Sequence, residues 1–340
     1  MLASDLHVHL DGSIRGDTLV DLARSAGLLP ATTGGDDFLA RLRFRPGMSL
    51  RSCLSRFEVT IGLMQTRASL ARVARELVCD CYRDGVRHLE VRFCPALHTR
   101  EGLTAGDAVE AVLRGTEEGV GETHASAAGE WLSARVILSI LEGMATDEAG
   151  GLVDLAIGHA DAGVCGIDLA GDESLFDAGR YERAIRRAGD AGLGITIHAG
   201  EGEEPSHVAE AVTRLRADRI GHGVAAASDD SVLSLLAERG VTVEICLSSN
   251  LHTGAVAALS EHPLTVLSEA GVPVALATDN RFFSNTTLSR EYELASDAAG
   301  AGADTIAGSV LASADAAFLP DGDRAKLREL YRVSLGAARS

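Results

Sequence analysis

Eight short apolar runs recur along the chain, each separated from the next by a longer stretch whose apolar residues return at helical spacing. The runs are "DLHVHL", "VRHLEVRF", "LSARVILSI", "VCGIDLA", "LGITIHA", "RIGHGV", "VTVEICLS" and "VPVALATD". Between them lie stretches such as "LARVARELVCDCYRDG", "RYERAIRRAGDAG", "PSHVAEAVTRLRA", "DDSVLSLLAERG" and "HPLTVLSEAG", which end on a Gly suited to a helix C-terminus or on a short polar turn. Alternation of this kind predicts a parallel sheet with helices packed outside it. Eight units in 340 residues predict a single (β/α)8 TIM barrel spanning residues 1–340, and 46% hydrophobic content is enough for one core of that size. No low-complexity tract, further repeat or linker divides the chain.

Two stretches exceed the minimal unit. About residues 11–75 form an insertion after the first strand, with "DGSIRGDTLVDLARSAG" and the amphipathic "MSLRSCLSRFEVTIGLM". It sits where a barrel opens its active-site mouth, so a helical lid is expected there. The segment after Asp279, "RFFSNTTLSREYELASDAAG", begins as loop and turns helical, with Ser and Thr available as caps. Phe282 and Phe283 in it can be either pocket wall or core.

Charge and composition exclude several classes of function. The net charge of −18 would be repelled by a phosphate backbone or an anionic membrane, and the basic residues are not segregated. No nucleic-acid or membrane partner is therefore expected. No apolar run approaches the ~20 residues of a membrane span, and the N-terminus lacks the pattern of a secretory signal. The six cysteines form neither a CxxC pair nor a disulfide framework, which favours reduced thiols and a cytoplasmic location.

In a TIM barrel the chemistry gathers at the C-terminal ends of the strands, so polar groups that terminate apolar runs are the candidates. These are His7 and His9, the turn Gly171–Asp172–Glu173, His198 and Glu201, His222, "SSN" at 248–250, and Asp279 with Asn280. His7 and His9 are two apart on a strand, so both imidazoles point to one side and can meet one ion. With His198 and Asp279 they make a donor set for zinc, with iron or manganese as alternatives. A water at an open position of such a site is acidified toward neutrality and becomes a nucleophile. Asp279 can accept its proton, and His222 can orient it or take up developing charge. Glu201, three residues past His198, is close to the metal without being an obvious ligand; as a carboxylic acid it can protonate a ring nitrogen or leaving group. The alternative for Glu201 is a surface carboxylate opening a helix, as its neighbours in "EGEEP" do.

Six words, "HVHLDGS", "GIDLAGDE", "HAGE", "GHG", "SSNLHTGAV" and "TDN", occur in the order and spacing of the adenosine deaminase family, which the chain resembles over essentially its whole length. The resemblance implies one zinc ion held by His7, His9, His198 and Asp279, and hydroxide attack on C6 of a 6-aminopurine nucleoside. Glu201 resembles the acid that protonates purine N1, and His222 the residue that steadies the hydroxide. Gly171 resembles the backbone donor to N3. His9 and Asp11 resemble the residues near the ribose 5′ position, and the lid would lay Leu54 and Phe57 over the base. The only lysine, Lys326, lies beyond the last strand, so no carbamylated lysine bridges two metals here. "HLE" at 88–90 is not followed by PCxxC, which excludes the zinc chemistry of cytidine-type deaminases.

One position departs from the commonest pattern of the family, in which a second aspartate follows the ligand aspartate. Asn280 stands there. An asparagine amide donates to purine N7 at any pH, whereas an aspartate must be protonated to do so. Adenosine or 2′-deoxyadenosine is the leading substrate. Adenine and aminodeoxyfutalosine are alternatives within the class, free adenine being disfavoured by the ribose-side residues of "HLDGS". A catalytically silent nucleoside-binding barrel would be expected to have lost a ligand or the acid, and none is missing.

Overall fold

The computed structural model describes residues 1–30, 32–126 and 131–338. Its strands are β1 (Ala3–His9), β2 (Val86–Phe93), β3 (Ser133–Leu141), β4 (Val164–Ala170), β5 (Gly194–Ala199), β6 (Arg219–His222), β7 (Thr242–Ile245) and β8 (Val274–Leu276). They hydrogen-bond in sequence order, and all seven neighbouring pairs are parallel. The ring closes where Val8 bridges Asp279: the His9 N–H donates to Asp279 O and the Asp279 N–H to His7 O, both at 2.7 Å. The fold is the (β/α)8 barrel that the alternation predicts.

The last three strands are shorter than the apolar runs suggest. The residues at or just past their ends form the mouth: His222, the last of β6, has φ 65° and Asp279, beyond β8, φ 56°, left-handed values that non-glycine residues rarely take. Cys246 leads directly into a short helix, Leu247–Thr253.

Inside the barrel, strand alternation sets polar side chains inward. His88, Glu90, Arg92, Asp168, Thr196, Arg219 and Glu244 are all at least 99% buried. Arg92 donates to Leu6 O at 2.7 Å and to Glu244 Oε2 at 2.9 Å. The Arg219 Nε lies 2.6 Å from Glu244 Oε1, and its guanidinium also reaches Glu90. Phe318 covers that guanidinium at the N-terminal end of the barrel, 3.6 Å from its central carbon to the ring centroid. Burial of these charges is tolerable only because each is paired; removing one partner of such a pair costs about 3–5 kcal/mol.

Four helices follow β1: α1 (Gly16–Ser25), α2 (Gly35–Leu42), α3 (Leu50–Leu63) and α4 (Arg67–Arg83). Ser49 caps α3 by accepting from the Ser52 N–H at 3.3 Å, and Thr66 with Ser69 forms a capping box at the start of α4. α4 belongs to the barrel wall, although the expected insertion reached residue 75. It packs so tightly on the helix Ala105–Ser126 that a Cβ at Gly115 would lie 2.3 Å from Ala71 O. α1 is bonded to α4 through Arg15 to Asp80 and Thr18 to Glu76, and the loop before α3 is tied to the mouth by the Phe44 N–H to Phe283 O at 2.7 Å and the Gly47 N–H to Leu251 O at 3.3 Å. After β8, Thr287 caps the helix Leu288–Asp297, accepting from the Arg290 N–H at 3.2 Å. Among the described residues no helix is long and apolar enough to cross a membrane, and all six cysteines are free thiols.

Candidate active site

Closure of the barrel brings groups from β1, β5, β6 and β8 to one point. His7 and His9, on the inward face of β1, meet His198 at the end of β5 and Asp279 just past β8. The His7 and His198 ring centroids are 4.6 Å apart, and His9 Nε2 lies 3.3 Å from both His198 Nε2 and Asp279 Oδ1. His7 Nε2 lies 3.5 Å from Asp279 Oδ1; it is buried and has no hydrogen-bond partner. An orphaned buried nitrogen facing two more imidazole nitrogens and a carboxylate is a donor set for a cation.

The outer nitrogens of two of these rings are held by carboxylates. His7 Nδ1 is 2.8 Å from Glu244 Oε2, and His198 Nδ1 is 2.9 Å from Asp168 Oδ1. A carboxylate accepts, so each Nδ1 carries the proton and each Nε2 keeps its lone pair for the site. Burial pushes His9 down to about 3, which keeps it neutral as a ligand must be. Two overlapping sets, His7 with His9 and Asp279, and His7 with His198 and His222, each place their donor atoms within 4.8 Å of one another.

Glu201 stands beside this cluster. Its Oε2 is 3.7 Å from His222 Nε2, and its Oε1 accepts from Thr253 Oγ1 at 2.9 Å. Burial, followed by the negative charge of Asp279, pushes its carboxyl up to about 8. The turn that carries it is pinned by Glu173, whose buried carboxylate accepts from the N–H groups of Gly200, Glu201 at 3.0 Å and Gly202 at 3.1 Å. Sequence reasoning picked out the turn 171–173 but gave Glu173 no task, and it missed Asp168, Glu244 and Thr253. Asp168 and Glu244 were readable as single acids in otherwise apolar strands; Thr253 carries no such signal.

The remaining candidates line the surroundings of this point. Phe57 on α3 meets the His9 ring at 6.3 Å and the Phe283 ring at 4.7 Å. Leu54, one turn earlier on α3, is half-buried. Phe283 is core: it is fully buried and stacks on Phe44 with centroids 4.9 Å apart, and Phe282 is buried as well. Asp11 is buried, its Oδ1 has no partner, and burial raises its carboxyl to about 7, with Asp279 adding to the effect. Gly171 follows β4 at φ 120°, a conformation open to glycine, and a Cβ there would lie 3.4 Å from the Glu142 N. The Asn280 amide lies on the Gly12 backbone so closely that a Cβ at Gly12 would fall 1.8 Å from Asn280 Oδ1.

Known proteins resemble the chain over nearly its whole length. The family model described as Adenosine deaminase matches residues 3–332. An adenosine deaminase of Mycobacteroides abscessus is 37% identical over 335 residues, covering 94% of this chain and 91% of that protein. Among solved structures, the N6-mAMP deaminase of Arabidopsis superposes with a TM-score of 0.84 at 29% identity and 98% coverage of both chains. An amidohydrolase of Burkholderia ambifaria with bound zinc superposes at 0.87 with 25% identity, covering 99% of this chain and 91% of that one. The buried cluster of imidazoles and a carboxylate, with a protonatable glutamate beside it, therefore sits in a metal-dependent hydrolytic deaminase, and the chain belongs to the adenosine deaminase family.

Proposed function

We propose that this enzyme hydrolyses the 6-amino group of adenosine or 2′-deoxyadenosine, releasing ammonia and the 6-oxo nucleoside, within one domain spanning residues 1–340. The observation that carries the reading is Glu201, a carboxyl whose burial beside the cation cluster pushes it up to about 8. His7, His9, His198 and Asp279 would hold one zinc ion, which when bound supplies a water acidified toward neutrality. Zinc in the Burkholderia structure supports that identity.

The chain's own groups supply the rest. Glu201 donates its proton to purine N1, which makes C6 electrophilic, and Asp279 takes up the proton released by the attacking water. His222 holds the attacking oxygen in line with C6. The Gly171 N–H serves N3 and the Asn280 amide serves N7. Asp279 returns that proton to the 6-amino group, the C6–N bond breaks and ammonia departs, and the proton of the new C6 hydroxyl restores Glu201 as the carbonyl forms. Phe57 and Leu54 close over the base as α1 to α3 act as a lid, which excludes water from the reacting centre.

Asp11 and His9 on the ribose side favour a free 5′-hydroxyl. A hydroxyl can donate to the unpartnered Asp11 Oδ1, whereas a 5′-phosphate would set like charges together beside Asp279. Buried free thiols fit a reducing cytoplasm. The test follows the ultraviolet absorbance of purified, zinc-loaded protein with adenosine, 2′-deoxyadenosine, adenine, AMP and aminodeoxyfutalosine. The two nucleosides are expected to turn over fastest, and failure of all five to lose the 6-amino group would overturn the reading.

A further inference from the structure

Unlike His7 and His198, His222 does not turn its Nδ1 to a carboxylate. It faces an amide, and the groups behind that amide determine which nitrogen of His222 bears the proton. We propose that His262 and Asn250 are positioning residues that lock His222 with its proton on Nε2, so that it meets the site as a hydrogen-bond donor and not as a metal ligand. The role given to this donor rests on the function proposed above; the tautomer does not.

The argument runs inward from a backbone group. The Leu264 N–H donates to His262 Nδ1 at 3.1 Å, so that nitrogen carries no proton and the ring bears its hydrogen on Nε2. His262 Nε2 is 3.1 Å from the side chain of Asn250, and since it must donate, the atom it meets has to be the amide oxygen. This settles which way the amide points. The Asn250 NH2 therefore faces His222 Nδ1, 3.0 Å away, and donates to it. A ring nitrogen that accepts has no proton, so His222 carries its proton on Nε2.

All three side chains are buried, His262 at 4% exposure, His222 at 1% and Asn250 at 0%, and they partner one another in sequence. Each link is dictated by the one before it, and the first is a backbone N–H, which can only donate.

Two consequences separate the histidines chemically. The carboxylates on His7 and His198 leave a lone pair facing the centre, whereas the amide on His222 leaves an N–H. An Nε2–H cannot coordinate, so the set His7, His198 and His222 is not the one that holds the cation, although its atoms lie close enough. The same N–H is aimed toward the space in front of Glu201 Oε2, 3.7 Å away, where an attacking oxygen would gain negative charge.

The test uses zinc-loaded full-length protein labelled with 15N-histidine, in which long-range 1H–15N correlations report the tautomer of each ring. His222→Gln identifies the His222 signals by their loss. His222 is expected to show a protonated Nε2 and a bare Nδ1, opposite to His7 and His198. Asn250→Asp puts an acceptor against Nδ1 and is expected to invert the tautomer, with kcat and kcat/KM falling together by about 100-fold, the typical loss of one donor at a developing oxyanion. His262→Leu is expected to lose the fixed tautomer. His262→Gln, which retains an N–H for Asn250 Oδ1, is expected to restore it.

A wild-type His222 protonated on Nδ1 would overturn the proposal, as would an Asn250→Asp protein with unchanged tautomer. If a variant does not fold, the wild-type spectrum alone decides. A protein that turns over none of the purines would refute the proposed function, and the spectrum would still judge the relay.

Discussion

At the scale of single residues, the site sets two carboxyl groups to opposite tasks by environment alone. Asp279 faces three imidazoles, and although burial opposes its charge they hold it well below the usual carboxylate range. Glu201 is buried with only a hydroxyl bonded to it, and its carboxyl rises to about 8. In the role proposed for Glu201 the active form is the protonated one, so kcat/KM is expected to fall as pH rises through its pKa. That limb should lie at or below about 8, because a bound cation offsets the contribution of Asp279. Glu201→Gln is expected to retain metal, measured by elemental analysis, and to lose about 10²–10⁴-fold in kcat, the usual worth of a positioned acid. Retained turnover would assign N1 protonation elsewhere. Both His222 and Asp279 hold positive φ, a strained backbone that persists only where its surroundings enforce it.

At the scale of elements, two devices aim the chemistry. The first is the Glu173 carboxylate, which gathers three consecutive N–H groups and so fixes the turn carrying Glu201. Glu173→Ala is expected to lower kcat by more than it changes KM while leaving metal content intact; an unchanged kcat would mean the turn holds itself. The second is α3, which presents Cys53 and Phe57, four residues apart, to the barrel mouth. Phe57 joins His9 to the Phe44 and Phe283 pair. Phe57→Ala is expected to raise KM for adenosine about tenfold, equivalent to ~1.4 kcal/mol and within the worth of an aromatic contact over a base. Steady-state kinetics checks this, and an unaltered KM would remove α3 from substrate binding.

At the scale of the whole molecule, the barrel interior is an ionic network and the apolar core lies between strands and helices. Glu244 joins His7, Arg92, Arg219 and Thr196, so Glu244→Ala would leave two buried guanidinium groups short of a partner. The expected loss is about 3–5 kcal/mol, measured by urea denaturation. Metal removal by a chelator is expected to lower Tm, and zinc in thousandfold excess over Kd to restore about 4 kcal/mol. The eightfold alternation and the strand-end positions of His7, His9, His198, Glu201, His222 and Asp279 were legible because periodicity and order are local properties of a chain. The direction of Phe283, the inward charge of β2 and β7 and the partner of each imidazole were not, since an apolar run reads alike whichever face is inside. The sequence by itself determined the eight units, the polar residues that gather at the strand ends and the class of reaction. Only the tertiary structure decided that His198 lies 3.3 Å from His9 across 189 residues, and that a relay from Leu264 sets the proton of His222. Distances between strand ends, and the donors that settle a tautomer, exist only once the barrel has closed.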